Sequence, residues 1–122
     1  MTLSKCSDVQ PTVSDRIGHI ANAIGNIQEI VAGQTRDSFT NDLVMRMAVE
    51  RLLEIISEAS RFIPPDMQAK EPAINWRRLA DLGNWLRHAY HRTDAGLLWA
   101  MIEDDLEPLR AFVERIARET KR

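Results

Sequence analysis

The sequence predicts an all-α protein, an up-and-down bundle of four main helices. Apolar residues recur at helical spacing over four separate stretches, and no stretch alternates apolar with polar residues or contains a hairpin dipeptide. The length of 122 residues suits one core and is too short for two. Short polar connections between the periodic stretches favour neighbouring helices packed as a bundle.

Residues 1–11 have no apolar period and end at Pro11, so they read as a flexible leader ahead of a single domain, 12–122. Thr12 can cap a first helix with Asp15 in its first turn. Ile17, Ile20, Ala21, Ile24, Ile27 and Val31 then repeat on one side until Gly33. A polar turn is expected over 33–38. The second helix carries Val44, Met47, Ala48, Leu52, Ile55, Ile56, Ala59 and Ile63 and is stopped by Pro64-Pro65. The stretch 64–75 is rich in proline and charge and has room for a short helical turn over the core. A third helix runs from Trp76 to Tyr90. The last opens at the cap residue Asp94 and places Leu97, Leu98, Met101, Ile102, Leu106, Leu109, Phe112, Val113 and Ile116 on one face, with a bend at Pro108.

Composition narrows the function. A formal net charge of −2 argues against coating nucleic acid by charge alone, so any RNA contact must be local. Cys6 is the only cysteine, which rules out an internal disulfide and a cysteine-based zinc site and suits a reducing cytoplasm. The N-terminal stretch lacks the apolar run of a secretory signal, and nothing approaches the roughly 20 apolar residues of a membrane span. A cytoplasmic protein without a membrane partner is expected.

Residues 76–94, WRRLADLGNWLRHAYHRTD, hold the chemistry. On an ideal helix Leu79, Leu82, Trp85, Leu86 and Ala89 form the core face. Asn84, Arg87, His88 and His91 stand at i, i+3, i+4 and i+7 on the opposite side, with Asp81 at the edge and Tyr90 flanking Arg87. Such a stripe has the parts for cleaving a phosphodiester without a metal: imidazoles that titrate near neutrality, a guanidinium for phosphate and an amide to orient it. The competing interpretation is an ordinary solvated face, which also suffices for His19 on the first helix. No carboxylate or thiol completes a metal site with the two histidines, and no metal or other cofactor is expected. Trp76, Trp85 and Trp99 suit a core or a subunit interface better than base stacking. Glu103, Asp104, Asp105 and Glu107 read as a solvated acidic face.

From about Asp15 to Ile116 the chain resembles the HepT-type toxins of the HEPN superfamily. Their I-G-E-A motif reads Ile56-Ser57-Glu58-Ala59 here, and their proline-tryptophan approach is present as Pro72-Ala73-Ile74-Asn75-Trp76. Their signature, an Arg-Asn pair leading into His-x-Tyr and then Asp and Trp, is matched by Asn84, His88, Tyr90, Asp94 and Trp99. The chain departs at the arginine, whose position is Gly83. A lost phosphate contact of this kind is worth about 1.5–3 kcal/mol, or a tenfold to hundredfold rate effect if nothing compensates. Arg87 lies on the same stripe as a candidate replacement. A close backbone approach across a dimer axis would account for the glycine itself.

The resemblance implies a dimeric HEPN-like bundle, or a higher oligomer, and a metal-independent endoribonuclease toxin of a toxin–antitoxin pair. Its composite site would lie at the dimer interface, with His88, Arg87, Asn84 and Tyr90 as catalytic residues, His91 as a further contributor and RNA as substrate. It also implies an MntA-type minimal nucleotidyltransferase antitoxin that transfers AMP to Tyr90. The alternative is a catalytically silent helical dimer, its arginine gone, that only binds or is AMPylated by that partner.

Overall fold

The computed structural model describes residues 10–88 and 95–120, the side chains of His88 and Thr120 excepted. Among these residues there are seven helices and no strand. Most of the predicted leader lies outside the described residues; Gln10 and Pro11 are exposed and irregular.

Helix α1 (Val13–Val31) starts where the capping chemistry puts it. The Thr12 N–H donates to Asp15 Oδ2 at 2.9 Å, and the Asp15 N–H donates back to Thr12 Oγ1 at 3.0 Å. Ile17, Ile20, Ala23, Ile24 and Ile27 are buried. Ala21 is exposed, so the small core residue of this face is Ala23. Gly33, at φ 74, turns the chain out of the helix in a conformation that glycine adopts without strain.

The expected polar turn contains a helix, α2 (Arg36–Thr40), set by a second capping box between Thr35 and Ser38 and anchored by the fully buried Phe39. One apolar residue in five gives no period to detect. Helix α3 (Leu43–Ser60) is capped by Asp42, which accepts the Met45 N–H at 3.0 Å. Its buried side is Val49, Leu53, Ile56, Ser57, Ala59 and Ser60. Val44 and Met47, expected in the core, are 77% and 58% exposed, and Ala48, Leu52 and Ile55 are only partly buried. The face is rotated because two serines can be buried on it: Ser60 Oγ donates to the Ser57 carbonyl at 2.8 Å and Ser57 Oγ to the Ala80 carbonyl at 3.2 Å.

Pro64-Pro65 ends that run as expected, and the short helix α4 (Pro65–Ala69) follows with Pro65 in its first turn, where no N–H is needed. It is tied down from both sides. Gln68 Nε2 donates to the Ile63 carbonyl at 3.0 Å, and the Gln68 carbonyl accepts Trp76 Nε1 at 3.1 Å. Helix α5 (Trp76–His88) opens with Asn75 Oδ1 accepting the Arg78 N–H at 3.0 Å. The expected end at Tyr90 and the Asp94 cap lie outside the described residues. The expected single last helix is two, α6 (Ala95–Asp104) and α7 (Leu106–Thr120). Only Asp105 separates them, and its N–H still donates to the Met101 carbonyl at 2.9 Å, so the disturbance expected at Pro108 is a one-residue irregularity. The proline ring is incompatible with a helical carbonyl four residues back, at Asp104, so the chain breaks at Asp105 and Pro108 falls in the first turn of a new helix.

Helix α3 packs against both α1 and α5, and α1 packs also against α7, while α6 bridges α2 and α7. Ile24, Leu53, Ile56, Leu79, Leu98 and Leu109 fill the centre, each worth about 1.5–3 kcal/mol of burial. At the junction of α2 with α6, Phe39 meets Trp99 at 5.4 Å and the Arg36 guanidinium occupies the space that a side chain at Gly96 would need.

Candidate functional site

The candidate site lies on α5. Leu79, Leu82, Gly83 and Leu86 turn inward, while Asn84 and Arg87 are exposed on the other side with Arg77 and Asp81. Besides this packing, a side-chain hydrogen bond ties the helix to α3. The Gly83 N–H donates to Ser57 Oγ at 3.1 Å, and the same hydroxyl donates to the Ala80 carbonyl, so one buried serine clips two backbone groups of α5. A Cβ at position 83 would lie 2.8 Å from Ser57 Oγ and 3.3 Å from Ser57 Cβ. The close approach that requires glycine is therefore made to α3 of the same chain, where a dimer axis was expected.

Ser57, which stands at the glycine of the I-G-E-A motif, and Gly83, which stands at the signature's arginine, thus touch each other. Arg87 adds to this. Its Nη1 lies 3.6 Å from the point a Cβ of residue 83 would take, so the side chain folds back one turn toward the position of the absent arginine.

Asn84 and Arg87 share the exposed stripe, and His88 is the last described residue of α5. The His88 side chain and all of Tyr90 and His91 lie outside the described residues. Arg77 Nε is 3.8 Å from Asp81 Oδ2, an exposed contact that holds neither strongly. His19 is exposed on α1. Trp85, assigned to the core by projection, sits at the edge of the buried arc and is 37% exposed. It lines a groove of about 420 Å³ between α5 and α6 together with Arg77, Arg78, Leu82, Leu97 and Met101.

The acidic run is not uniformly solvated. Glu103 and Asp104 are exposed, and the Arg110 guanidinium, hydrogen-bonded to Glu107, holds that carboxyl below its usual range. Asp105 is different: its side chain is 16% exposed and lies 3.2 Å from Arg78 Nε. The pair lacks hydrogen-bond alignment, and loss of solvent pushes the Asp105 carboxyl up despite the arginine. The ion pair links α5 to the α6–α7 break. Among the described residues no three His, Cys, Asp or Glu side chains are grouped to hold a metal, and no helix is long and apolar enough to cross a membrane.

Comparison with known proteins adds the family. The family described as Ribonuclease HepT-like matches residues 20–116. "Probable ribonuclease HepT" of Thermococcus cleftensis is 36% identical over 104 residues, covering 85% of this chain and 94% of that protein. "Putative RNase MJ1380" of Methanocaldococcus jannaschii is 35% identical over 95 residues, 78% of this chain and 87% of its own. "Putative RNase TTE0752" of Caldanaerobacter subterraneus is 28% identical over 103 residues, 84% and 92%. No solved structure matches the chain. With most of its helical bundle covered by that match, the chain belongs to the HepT-like ribonuclease family of the HEPN type.

Proposed function

We propose that the protein is a metal-independent endoribonuclease, the toxin of a toxin–antitoxin pair, whose site is completed when two copies bring the ends of their α5 helices together. The observation that carries this reading is the position of Arg87. Its guanidinium is exposed on the stripe with Asn84, one residue before His88, and folds back over the glycine that stands in the arginine position of the signature.

In the proposed reaction one His88 takes the proton of a ribose 2′-hydroxyl as that oxygen bonds to the adjacent phosphorus. The bond from phosphorus to the 5′-oxygen breaks, and the second copy's imidazole protonates the leaving oxygen. The products are a 2′,3′-cyclic phosphate and a 5′-hydroxyl. Arg87 neutralises the charge that builds on the non-bridging oxygens, Asn84 orients the phosphate, and His91 assists. Tyr90 supports the site and accepts AMP from an MntA-type nucleotidyltransferase, which would put an anion where phosphate must bind.

An apolar seam for a second copy is available at the right end of the bundle. Leu43, Val44 and Met47 are exposed at the start of α3, next to α2, and α2 in turn touches the first turn of α6 just beyond the signature segment. The test is cleavage of end-labelled RNA in EDTA, with His88→Ala purified identically. Cutting by wild type alone, with cyclic phosphate ends, is expected; equal inactivity on several RNAs would overturn the reading. One observation favours a second reading, a catalytically silent dimer that serves only its nucleotidyltransferase partner: with Ser57 in place, position 83 has no room for an arginine. Growth arrest on expression without a partner separates the two, since only the nuclease arrests.

A further inference from the structure

The three tryptophans are not equivalent. Trp76 donates Nε1 to the Gln68 carbonyl and meets Phe112 edge-on at 5.5 Å, and Trp99 packs on Phe39, so both belong to the core. Trp85 instead forms one wall of the groove between α5 and α6, where it is 37% exposed. Leu82 and Met101, both buried, line the groove beside the half-exposed Leu97, and Arg77, Arg78 and Asp81 line it as well. Its volume of about 420 Å³ falls in the range of roughly 300–1,000 Å³ typical of small-ligand sites.

We infer that this groove is a subsite for one unstacked nucleobase of single-stranded RNA, with the base laid on the Trp85 indole and its flanking phosphate met by Arg77. The inference rests on the ribonuclease reading of the neighbouring stripe. An indole wall beside apolar side chains offers a face to any base, independent of its hydrogen-bonding edge. Arg77 can turn to a phosphate, because the one anion close to it among the described residues is Asp81 at 3.8 Å and both are well exposed. Arg78 stays committed to Asp105 at 3.2 Å. Position 88 lies one helical turn beyond Trp85, so a base held there would carry the adjoining phosphodiester toward the proposed cleaving residues. Continuity selects the occupant: the groove runs along α5 toward the stripe that the ribonuclease reading assigns to RNA, and Arg77, once turned from Asp81, supplies a cation for the strand.

The experiment uses full-length protein carrying His88→Ala, titrated with a short single-stranded oligoribonucleotide and with the same backbone made abasic, at one fixed salt concentration. Binding is read by anisotropy and by tryptophan fluorescence, with circular dichroism and sedimentation confirming fold and oligomeric state. Adding Trp85→Leu should weaken binding of the intact strand about tenfold and abolish the quenching, Trp85→Tyr should recover most of the affinity, and the abasic strand should not distinguish the variants. Unchanged affinity in Trp85→Leu, or an equal loss on the abasic strand, overturns the subsite while leaving the ribonuclease reading intact. So does a shift of Trp85→Leu to a smaller species, which would mean that a second copy covers the groove. If the parent binds no RNA, the ribonuclease reading falls and the subsite with it.

Discussion

Ser57 and Gly83 exchange bulk across the contact between α3 and α5: the hydroxyl on one side fills the space that a side chain would take on the other. In a helix interior alanine is ordinarily better than glycine by about 1 kcal/mol. Here the added methyl meets Ser57 Oγ at 2.8 Å and Cβ at 3.3 Å, and overpacking of this kind costs about 1–3 kcal/mol. Gly83→Ala should therefore lower stability in chemical denaturation, by up to about 2 kcal/mol, and Ser57→Gly in the same chain should recover it. The same reasoning applies to restoring the signature arginine. Gly83→Arg alone should be the less stable protein, and Gly83→Arg with Ser57→Gly the tolerated one. The absence of arginine at 83 was legible in the sequence, but its connection with Ser57 was not, because residues 26 positions apart declare a contact only when two helices are packed.

The starts of α1 and α5 were legible: the Thr12 cap holds, and α5 begins at Trp76, where the apolar period placed it; the Asn75 cap was not read from the sequence. The face of α3 was misjudged where burial follows hydrogen bonding rather than hydropathy, with Ser57 and Ser60 inside and Val44 outside. The break between α6 and α7 was half legible. Pro108 announced a disturbance, but an unbroken apolar period hid the new start at Leu106. Asp105 sits in that break with its carboxyl raised by lost hydration, more than Arg78 lowers it. A raised carboxyl gives stability that is complete below the ordinary carboxylate range and is lost as pH rises through its folded-state value. Asp105→Asn should therefore melt no lower than wild type at neutral pH and should lose less stability than wild type between acid and neutral pH. A clear drop at neutral pH would show that the ion pair with Arg78 outweighs the desolvation.

For the whole molecule, the decisive quantity is how many chains make one site. The sequence could display the stripe of Asn84, Arg87 and His88 because a single helix carries it, but it could not reveal a surface assembled from different helices. The groove between α5 and α6 and the exposed start of α3 are of that kind. If the start of α3 is the seam between copies, Val44→Glu should convert the protein to a monomer in sedimentation, leave its helical circular dichroism unchanged and abolish cutting, since no residue of the proposed chemistry is altered. A dimer that persists, or a monomer that still cuts, would move the seam elsewhere.

The segment from Gly83 to Gly96 contains Asn84, Arg87, His88, Tyr90 and His91, and at each end a glycine makes room for a side chain from the α2–α3 side, Ser57 at one and Arg36 at the other. A protein engineer moving this signature into another helical scaffold would therefore need to transplant four anchors along with the motif. Residues 36 and 57, distant in the chain from the signature, belong to the portable unit as much as the histidine does.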